Sequence, residues 1–264
     1  MIRPVISVVM TIYNHEKYLK KSIESIVNQS FKNWELIAID NGSTDNSKLV
    51  LNKFKDRRIK KKYIKNNVGR TNCLNLALKR CKGKYIAIQD SDDVSRRNRL
   101  QIQLSFFKKN KKCLFLATNY SLSNNLKKKN IKINLKKRLT PLRNILFENQ
   151  IAHSTIMFNK NLIKKIGFYP KKFLYSQDYM FYLKVFRKFK IYIINQNLVK
   201  INALHESSET IRIIKSNTAY LENIRRFIWV NKNFNLSLKE KIKVGFKIFI
   251  NLIKILFLKL KIFI

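Results

Sequence analysis

Glycine and proline are scarce in this sequence, at 5 and 3 of 264 residues, which excludes collagen-like and other Gly/Pro-rich architectures. Cysteine is scarce as well. Cys73, Cys81 and Cys113 are odd in number and form no C-x-x-C pair. That argues against a disulfide scaffold and a Cys-based structural zinc site, and it fits a reduced cytosolic setting. No G-x-G-x-x-G, P-loop or G-x-S-x-G is present, so the fingerprints of dinucleotide redox enzymes, P-loop NTPases and serine hydrolases are missing. Asn14, His15, Glu16 and Lys17 follow the apolar run at 5–10 too soon for a signal peptide, and no targeting leader is expected. The last shortage is of acid: 15 Asp and Glu against 56 Lys and Arg, a formal charge of +41.

Hydrophobic residues make up 45% of the chain and aromatics 12%, enough for a sizeable core and against wholesale disorder. The chain holds 42 Lys, 35 Ile and 30 Asn, all residues with codons rich in A and T. Codon drift therefore accounts for much of the basicity, beside a functional field for nucleic acid or anionic lipid. The few acids that persist carry more information. There are seven Asp, at 40, 45, 56, 90, 92, 93 and 178.

Periodicity predicts strands over 5–12, 35–40, 59–64, 85–88 and 113–117, with helices over 17–28, 72–78 and 97–107 and a capped helix start after Asp45. This alternation predicts an α/β fold with a largely parallel sheet. Further strands are predicted at 154–158, 191–194 and 198–203, and helices at 160–166, 177–189 and 210–230. Residues 119–139 read as a polar loop or edge hairpin. Ligands in such sheets sit beyond the carboxyl ends of the strands, where Asp40 and the cluster Asp90, Asp92 and Asp93 both fall.

Asp90-x-Asp92-Asp93 suits a hard divalent cation, which takes one or two carboxylates plus substrate phosphates. The alternative is an N-cap, with Asp93 opening the helix at 97–107. Three carboxylates in four positions repel one another, and a cation relieves that, so the metal reading is preferred. Asp40 could accept hydrogen bonds from a base N–H or a ribose hydroxyl, or serve only in a turn, with Asp45 capping. Asp178 is either a first-turn Asp favoured by the helix dipole or a general base; the sequence alone favours the first. His15, His153 and His205 show no metal-ligand spacing.

Read in order, several segments resemble family 2 glycosyltransferases, the inverting group with the GT-A fold. They are 5–14 (VISVVMTIYN), 22–30 (SIESIVNQS), 39–45 (IDNGSTD), 67–69 (NVG) with 72–75 (NCLN), 85–93 (YIAIQDSDD), 153–158 (HSTIMF) and 177–179 (QDY). The resemblance spans 5 to about 208. It implies a Rossmann-like sheet with a catalytic domain over 1–208, split into a nucleotide-binding half (1–118) and an acceptor-binding half (119–208). A helical extension (209–264) follows.

By the same resemblance, Asp40 contacts the base or ribose of a nucleotide-sugar donor, with UDP-sugars first, and Thr11, Tyr13 and Asn14 line that pocket. Asp90 and Ser91 lie near ribose and donor sugar. Asp92 holds Mn2+ or Mg2+ against the diphosphate, Asp93 supports them, Asp178 is the catalytic base, and His205 stands where a late His can reach the metal. Three positions depart from the family pattern: Asn41 replaces a second Asp, Gln177 replaces a Glu, and the Arg expected shortly before His205 is missing from 200–204. The implied acceptor is a glycan or lipid-linked hydroxyl in cell-surface polysaccharide synthesis. Two alternatives are a basic nucleic-acid-binding module, which lacks a reading helix or aromatic pair, and a nucleotidyltransferase, which needs a Gly-rich loop that 11–16 does not supply. Nucleic acid is therefore not expected as a partner.

The tail, 239–264, carries seven Lys and one Glu among Ile, Phe, Leu and Val. It has no uncharged run near the roughly 20 residues that span a bilayer. On a helical wheel Lys239, Lys243, Lys247, Lys254 and Lys261 share an arc of roughly 80°. The expectation is a basic amphipathic helix on an anionic membrane surface, which places the enzyme in the cytoplasm, peripheral on the inner face of the membrane. A final helix packed on the catalytic core is the competing reading.

Overall fold

The computed structural model describes residues 3–123, 142–202 and 217–260. Strand β1 (Ile6–Ile12) lies inside the sheet because both its faces are apolar. Val9 joins a core with Ile37, Ile86 and Phe181, while Val8, Met10 and Ile12 join a second core with Leu19, Ile23 and Leu104. A strand covered by helices on both faces has this two-residue alternation between two cores. β2 (Trp34–Asn41) and β4 (Tyr85–Ile88) pair parallel to β1 on either side, and β3 (Ile59–Ile64) pairs parallel to β2. Among the described residues eight strands make one sheet, in the order β3-β2-β1-β4-β7-β6-β8-β5. Its second half is mixed. β7 (Met157–Asn159) runs antiparallel to β4 and to β6 (Phe115–Leu122), β8 (Ile191–Ile201) parallels β6, and the two-residue β5 (Val94–Ser95) runs antiparallel to β8.

Helices α1 (Glu16–Val27) and α4 (Arg99–Lys109) cover one face through Leu19, Ile23, Leu100 and Leu104; α2 (Ser47–Lys53) follows β2. On the other face α3 (Arg70–Arg80), α5 (Asn161–Ile166), α6 (Gln177–Lys188) and α7 (Asn217–Asn233) contribute Leu74, Leu162, Phe181 and Phe227. The fold is thus the expected α/β arrangement of a largely parallel sheet between helix layers. Cys73, Cys81 and Cys113 are buried and free.

Four segments differ from the periodicity. The strand predicted at 113–117 begins at Phe115 and continues to Leu122, so 119–122 are strand paired with β8, and the rest of the predicted loop from 124 on lies outside the described residues. Residues 153–155 form a 3-10 turn, not the start of a strand, because their side chains serve polar ties: Ser154 Oγ accepts the Asp90 N–H at 2.8 Å and Thr155 Oγ1 donates to the Ala152 carbonyl at 2.7 Å. The two strands predicted at 191–194 and 198–203 are one strand to Ile201. The polar Asn195 to Asn197 stretch is absorbed by a register shift against β6 near Asn119, where Asn119 Nδ2 donates to Asn195 Oδ1 at 2.5 Å. Helix α4 starts at Arg99 with Asn98 as its cap, so Asp93 is not that helix's N-cap.

Gly42, in the turn after β2, has φ +73°, and an added Cβ would lie 2.7 Å from the Asn66 carbonyl carbon. Gly42→Ala is therefore expected to cost about 1–3 kcal/mol, read as a lowered denaturant midpoint. An unchanged midpoint would show that the 66–67 backbone yields without cost.

The tail forms α8 (Leu238–Leu260), packed on α7 through buried Val244 and Asn251. Asn223 Nδ2 donates to Asn251 Oδ1 at 3.3 Å. Lys243 lies 4.3 Å over the Phe147 ring and Lys254 5.4 Å over that of Tyr220. Two members of the expected lysine arc thus pack on the protein. Among the described residues no helix is long and apolar enough to cross a membrane.

Candidate functional site

A cavity of about 720 Å³ opens beyond the carboxyl ends of β1 and β4. Its wall includes Thr11 and Tyr13 at the end of β1, the loop Asp90 to Asp93 after β4, and Arg70 on α3. His153 and Asp178 on the first turn of α6 complete the side farther along the chain.

The acidic loop is held from behind by buried polar groups. Gln89 Nε2 donates to the Asp93 carbonyl at 2.7 Å. Gln89 Oε1 accepts from Ser95 Oγ at 2.6 Å and from Arg99 Nη1 at 3.0 Å. Arg99, fully buried, also donates to the Ile88 and Ile156 carbonyls at 2.9 and 3.2 Å and to Gln103 Oε1 at 3.1 Å. Burial lowers its guanidinium to about 9 while the Asp93 and Asp90 charges act to raise it, so it stays protonated at neutral pH. β5 adds a second constraint: it ties the loop's exit to β8, and Asp93 Oδ1 accepts the Asn202 N–H at 2.9 Å.

Within the loop the carboxylates differ. Burial alone would raise Asp90, but the charges of Arg70 and His153 outweigh it and hold the carboxyl well below the usual range. Arg70 Nη2 donates to Asp90 Oδ1 at 2.5 Å. His153 Nδ1 is 3.1 Å from the same oxygen and 2.9 Å from Arg70 Nη2, and its Nε2 is 3.0 Å from the Tyr169 hydroxyl. Asp93, 4% exposed, is pushed well up by burial and by the charges of Asp92 and Asp90. Ser91 Oγ is 2.6 Å from His15 Nδ1.

At the start of α6 Asp178 Oδ1 accepts the Tyr179 N–H at 2.7 Å, and Asn149 Nδ2 is 3.4 Å from Oδ2. The approach to α6 is fixed from α7. Glu222, 1% exposed, accepts the N–H groups of Leu174, Tyr175 and Ser176 at 2.5, 3.1 and 3.0 Å, and the Ser176 hydroxyl at 3.1 Å.

The structure brings Thr11, Tyr13, Asp90, Ser91, Asp92 and Asp178 to one cavity. Asn14 and Asp40 are not in its wall. Asn14, at φ 53°, ties the β1 loop to the β2 turn: its Oδ1 accepts the Thr44 N–H at 2.8 Å and its N–H reaches Ser43 Oγ at 3.1 Å. Asp40 Oδ1 accepts the Ser43 N–H at 3.1 Å, while its buried Oδ2 has no partner among the described residues. His205 lies outside the described residues. Asn41 does line the cavity, and its amide clamps the loop before α3: Nδ2 donates to Asn67 Oδ1 at 2.9 Å and Oδ1 accepts the Val68 N–H at 3.0 Å.

The sequence reading missed Arg70, Arg99, Asn149 and Glu222. Arg70 and Arg99 share one signal, since a cation in a helix's first turn opposes the macrodipole and calls for an acidic partner. Asn149 and Glu222 depend on contacts between distant segments.

Comparison with known proteins agrees with this geometry. The profile of Glycosyl transferase family 2 matches residues 7–179, and the chain belongs to that family. A glycosyltransferase of Haemophilus influenzae is 32% identical over 244 residues, 92% of this chain and 90% of its own. Escherichia coli WfgD, described as a UDP-Glc:alpha-D-GlcNAc-diphosphoundecaprenol beta-1,3-glucosyltransferase, is 32% identical over 194 residues, 72% of this chain and 73% of its own. Among solved structures, residues 1–349 of S. aureus TarS in complex with UDP-GlcNAc superpose with a TM-score of 0.73 at 19% identity, over 93% of this chain and 72% of that one. The Pyrobaculum calidifontis mannosyltransferase PcManGT, in complex with GDP-Man and Mn2+, gives 0.68 at 13% identity over 94% and 70%. The fold is GT-A-like and the protein is a glycosyltransferase, which decides for an enzyme over a bare nucleic-acid-binding module.

Proposed function

We propose that this enzyme transfers a sugar, with inversion, from a nucleoside-diphosphate sugar to a hydroxyl of a glycan or lipid-linked acceptor in cell-surface polysaccharide synthesis. The observation that carries the reading is that Asp92 and Asp178, from separate segments, line one cavity of about 720 Å³. UDP-sugars lead among donors because TarS was solved with UDP-GlcNAc and WfgD is named for UDP-Glc. The WfgD acceptor, a diphosphoundecaprenol, motivates a lipid-linked acceptor and a place on the cytoplasmic face of a membrane. In this reading residues 1–118 serve the donor and 119–208 the acceptor.

The donor side has groups of fitting chemistry. Asp40 Oδ2, buried outside the cavity wall and without a partner among the described residues, is an acceptor suited to a base N–H or a ribose hydroxyl. Arg70 pairs with Asp90, and His153 Nδ1 lies 3.1 Å from the same oxygen, so the donor's ribose and sugar meet a paired carboxylate, and Asp92 is the carboxylate assigned to a cation. Among the described residues no three His, Cys, Asp or Glu converge on a ready-made metal centre. A donor set of few carboxylates still fits Mg2+ or Mn2+, which take the remaining oxygens from diphosphate and water, and the repulsion that adds to burial in raising Asp93 is what a cation relieves. Asp92 would hold that ion, whose chemistry is to offset the charge gathering on the departing diphosphate. On the other side Asp178 takes the proton of the acceptor hydroxyl as its oxygen attacks the anomeric carbon, and one base on the face opposite the leaving group gives inversion.

Nucleotide sugars screened with Mn2+ or Mg2+ should yield one that the enzyme hydrolyses slowly in the absence of acceptor. Asp92→Ala is expected to lower that rate by about 10²-fold or more. Full activity in the variant would sink the metal assignment.

A further inference from the structure

Helix α8 packs on α7 with one face and leaves another bare. Advancing about 100° per residue, Leu238, Ile242, Phe246, Phe249, Leu252 and Leu256 fall within about 120° of one another. Each is 47% to 76% exposed. Val244 and Asn251, which are buried, lie on the opposite side, so the stripe is not the helix's contact with the protein. Lys239 and Lys243 border the stripe along one edge and Lys241 along the other. The helix's only acid, Glu240, is already paired: Arg143 donates to it at 2.6 and 2.9 Å.

We propose that this stripe seats α8 in the surface of an anionic lipid bilayer, the apolar side chains entering the headgroup boundary and the bordering lysines meeting lipid phosphates. A helix with an apolar face, lysines along its edges and no unpaired acid has the pattern of an interfacial helix. Charge selects this occupant over a second copy of the chain. A symmetric dimer through the stripe would bring two sets of like-charged lysines together, whereas anionic headgroups complement them. Of the lysine arc read from the sequence, Lys239 and Lys243 stand at the stripe's edge, while Lys243 and Lys254 also reach protein rings. This inference deepens the membrane location proposed above and rests on it only for its biological sense.

The test is co-sedimentation of the full-length chain with vesicles of phosphatidylcholine, alone or mixed with phosphatidylglycerol, with no donor present. The wild type is expected to sediment with the mixed vesicles and to be released by salt. Phe246→Ser with Phe249→Ser, both at exposed positions, should lower partitioning by about a hundredfold and leave the thermal midpoint unchanged. Equal binding by the variant, or a wild type that stays in the supernatant, would overturn the proposal. So would sedimentation equilibrium showing a dimer that the two serines dissolve. Vesicle binding contains no chemistry, so its failure would leave glycosyl transfer standing, and a failed donor screen would leave the vesicle result standing.

Discussion

Asp178→Asn is expected to lower the turnover number for sugar transfer by about 10³-fold or more, while donor affinity stays within about twofold. The side chain sits in the first turn of α6, where its Oδ1 accepts the Tyr179 N–H at 2.7 Å. Asparagine keeps the shape and can still accept that backbone hydrogen bond, but it cannot take a proton from an acceptor hydroxyl. The groups proposed for the donor lie on the ends of β1, β2 and β4, away from α6 in the chain, so donor binding has no reason to change. Steady-state kinetics together with calorimetric titration of UDP separate the two quantities. Unchanged turnover would remove Asp178 from the role of base, and a matching loss of UDP affinity would mark it as part of the donor site.

The largest stability effect is expected at Arg99. Its guanidinium donates to two main-chain carbonyls and to Gln89, Ser95 and Gln103, with no exposure to solvent. Arg99→Leu leaves the Ile88 and Ile156 carbonyls and Gln89 Oε1 short of a donor inside the core. It also leaves Asp93 and Asp90 without the cation behind them. The expected cost is about 3–5 kcal/mol, or a melting temperature lower by roughly 10 °C. Lysine is not a substitute, because one ammonium cannot reproduce the planar fork. A shift of less than about 2 °C would show that the network is replaceable. Where the variant still folds, the acidic loop loses its backing, and donor hydrolysis should fall with it.

How much of this was legible in the sequence follows from the range of the interactions. The strands 59–64 and 85–88 are matched residue for residue: 85–88 is buried throughout and writes that into consecutive apolar side chains, while 59–64, at the end of the sheet, begins on buried Ile59 and exposes Lys60 and Lys62. Asp90, Ser91, Asp92 and Asp178 could be found because acids are rare in a +41 chain and those positions carry the family's motifs. Local pattern failed where a distant partner decides. The Asn195 to Asn197 stretch looked like a break, yet a bulge against β6 carries it through. Arg99 looked like one more surface cation at a helix start. Only the fold shows that Ile156, fifty-seven positions along the chain, supplies one of its acceptors. Asn14 matched the motif, but its amide stitches two loops together outside the cavity wall.

Glu222 lies beyond residue 179, where the family profile ends, yet its carboxylate gathers the three amides that lead into α6. The last stretch of the chain is therefore not freely portable. A relative given this tail by recombination, or this core given another's, would need an acid at the same place on the incoming helix. Otherwise three amides in a partly buried approach lose their acceptor, and the segment that aims Asp178 loosens. Exchange of tails among relatives should accordingly be constrained at a position that no donor or acceptor sugar ever meets.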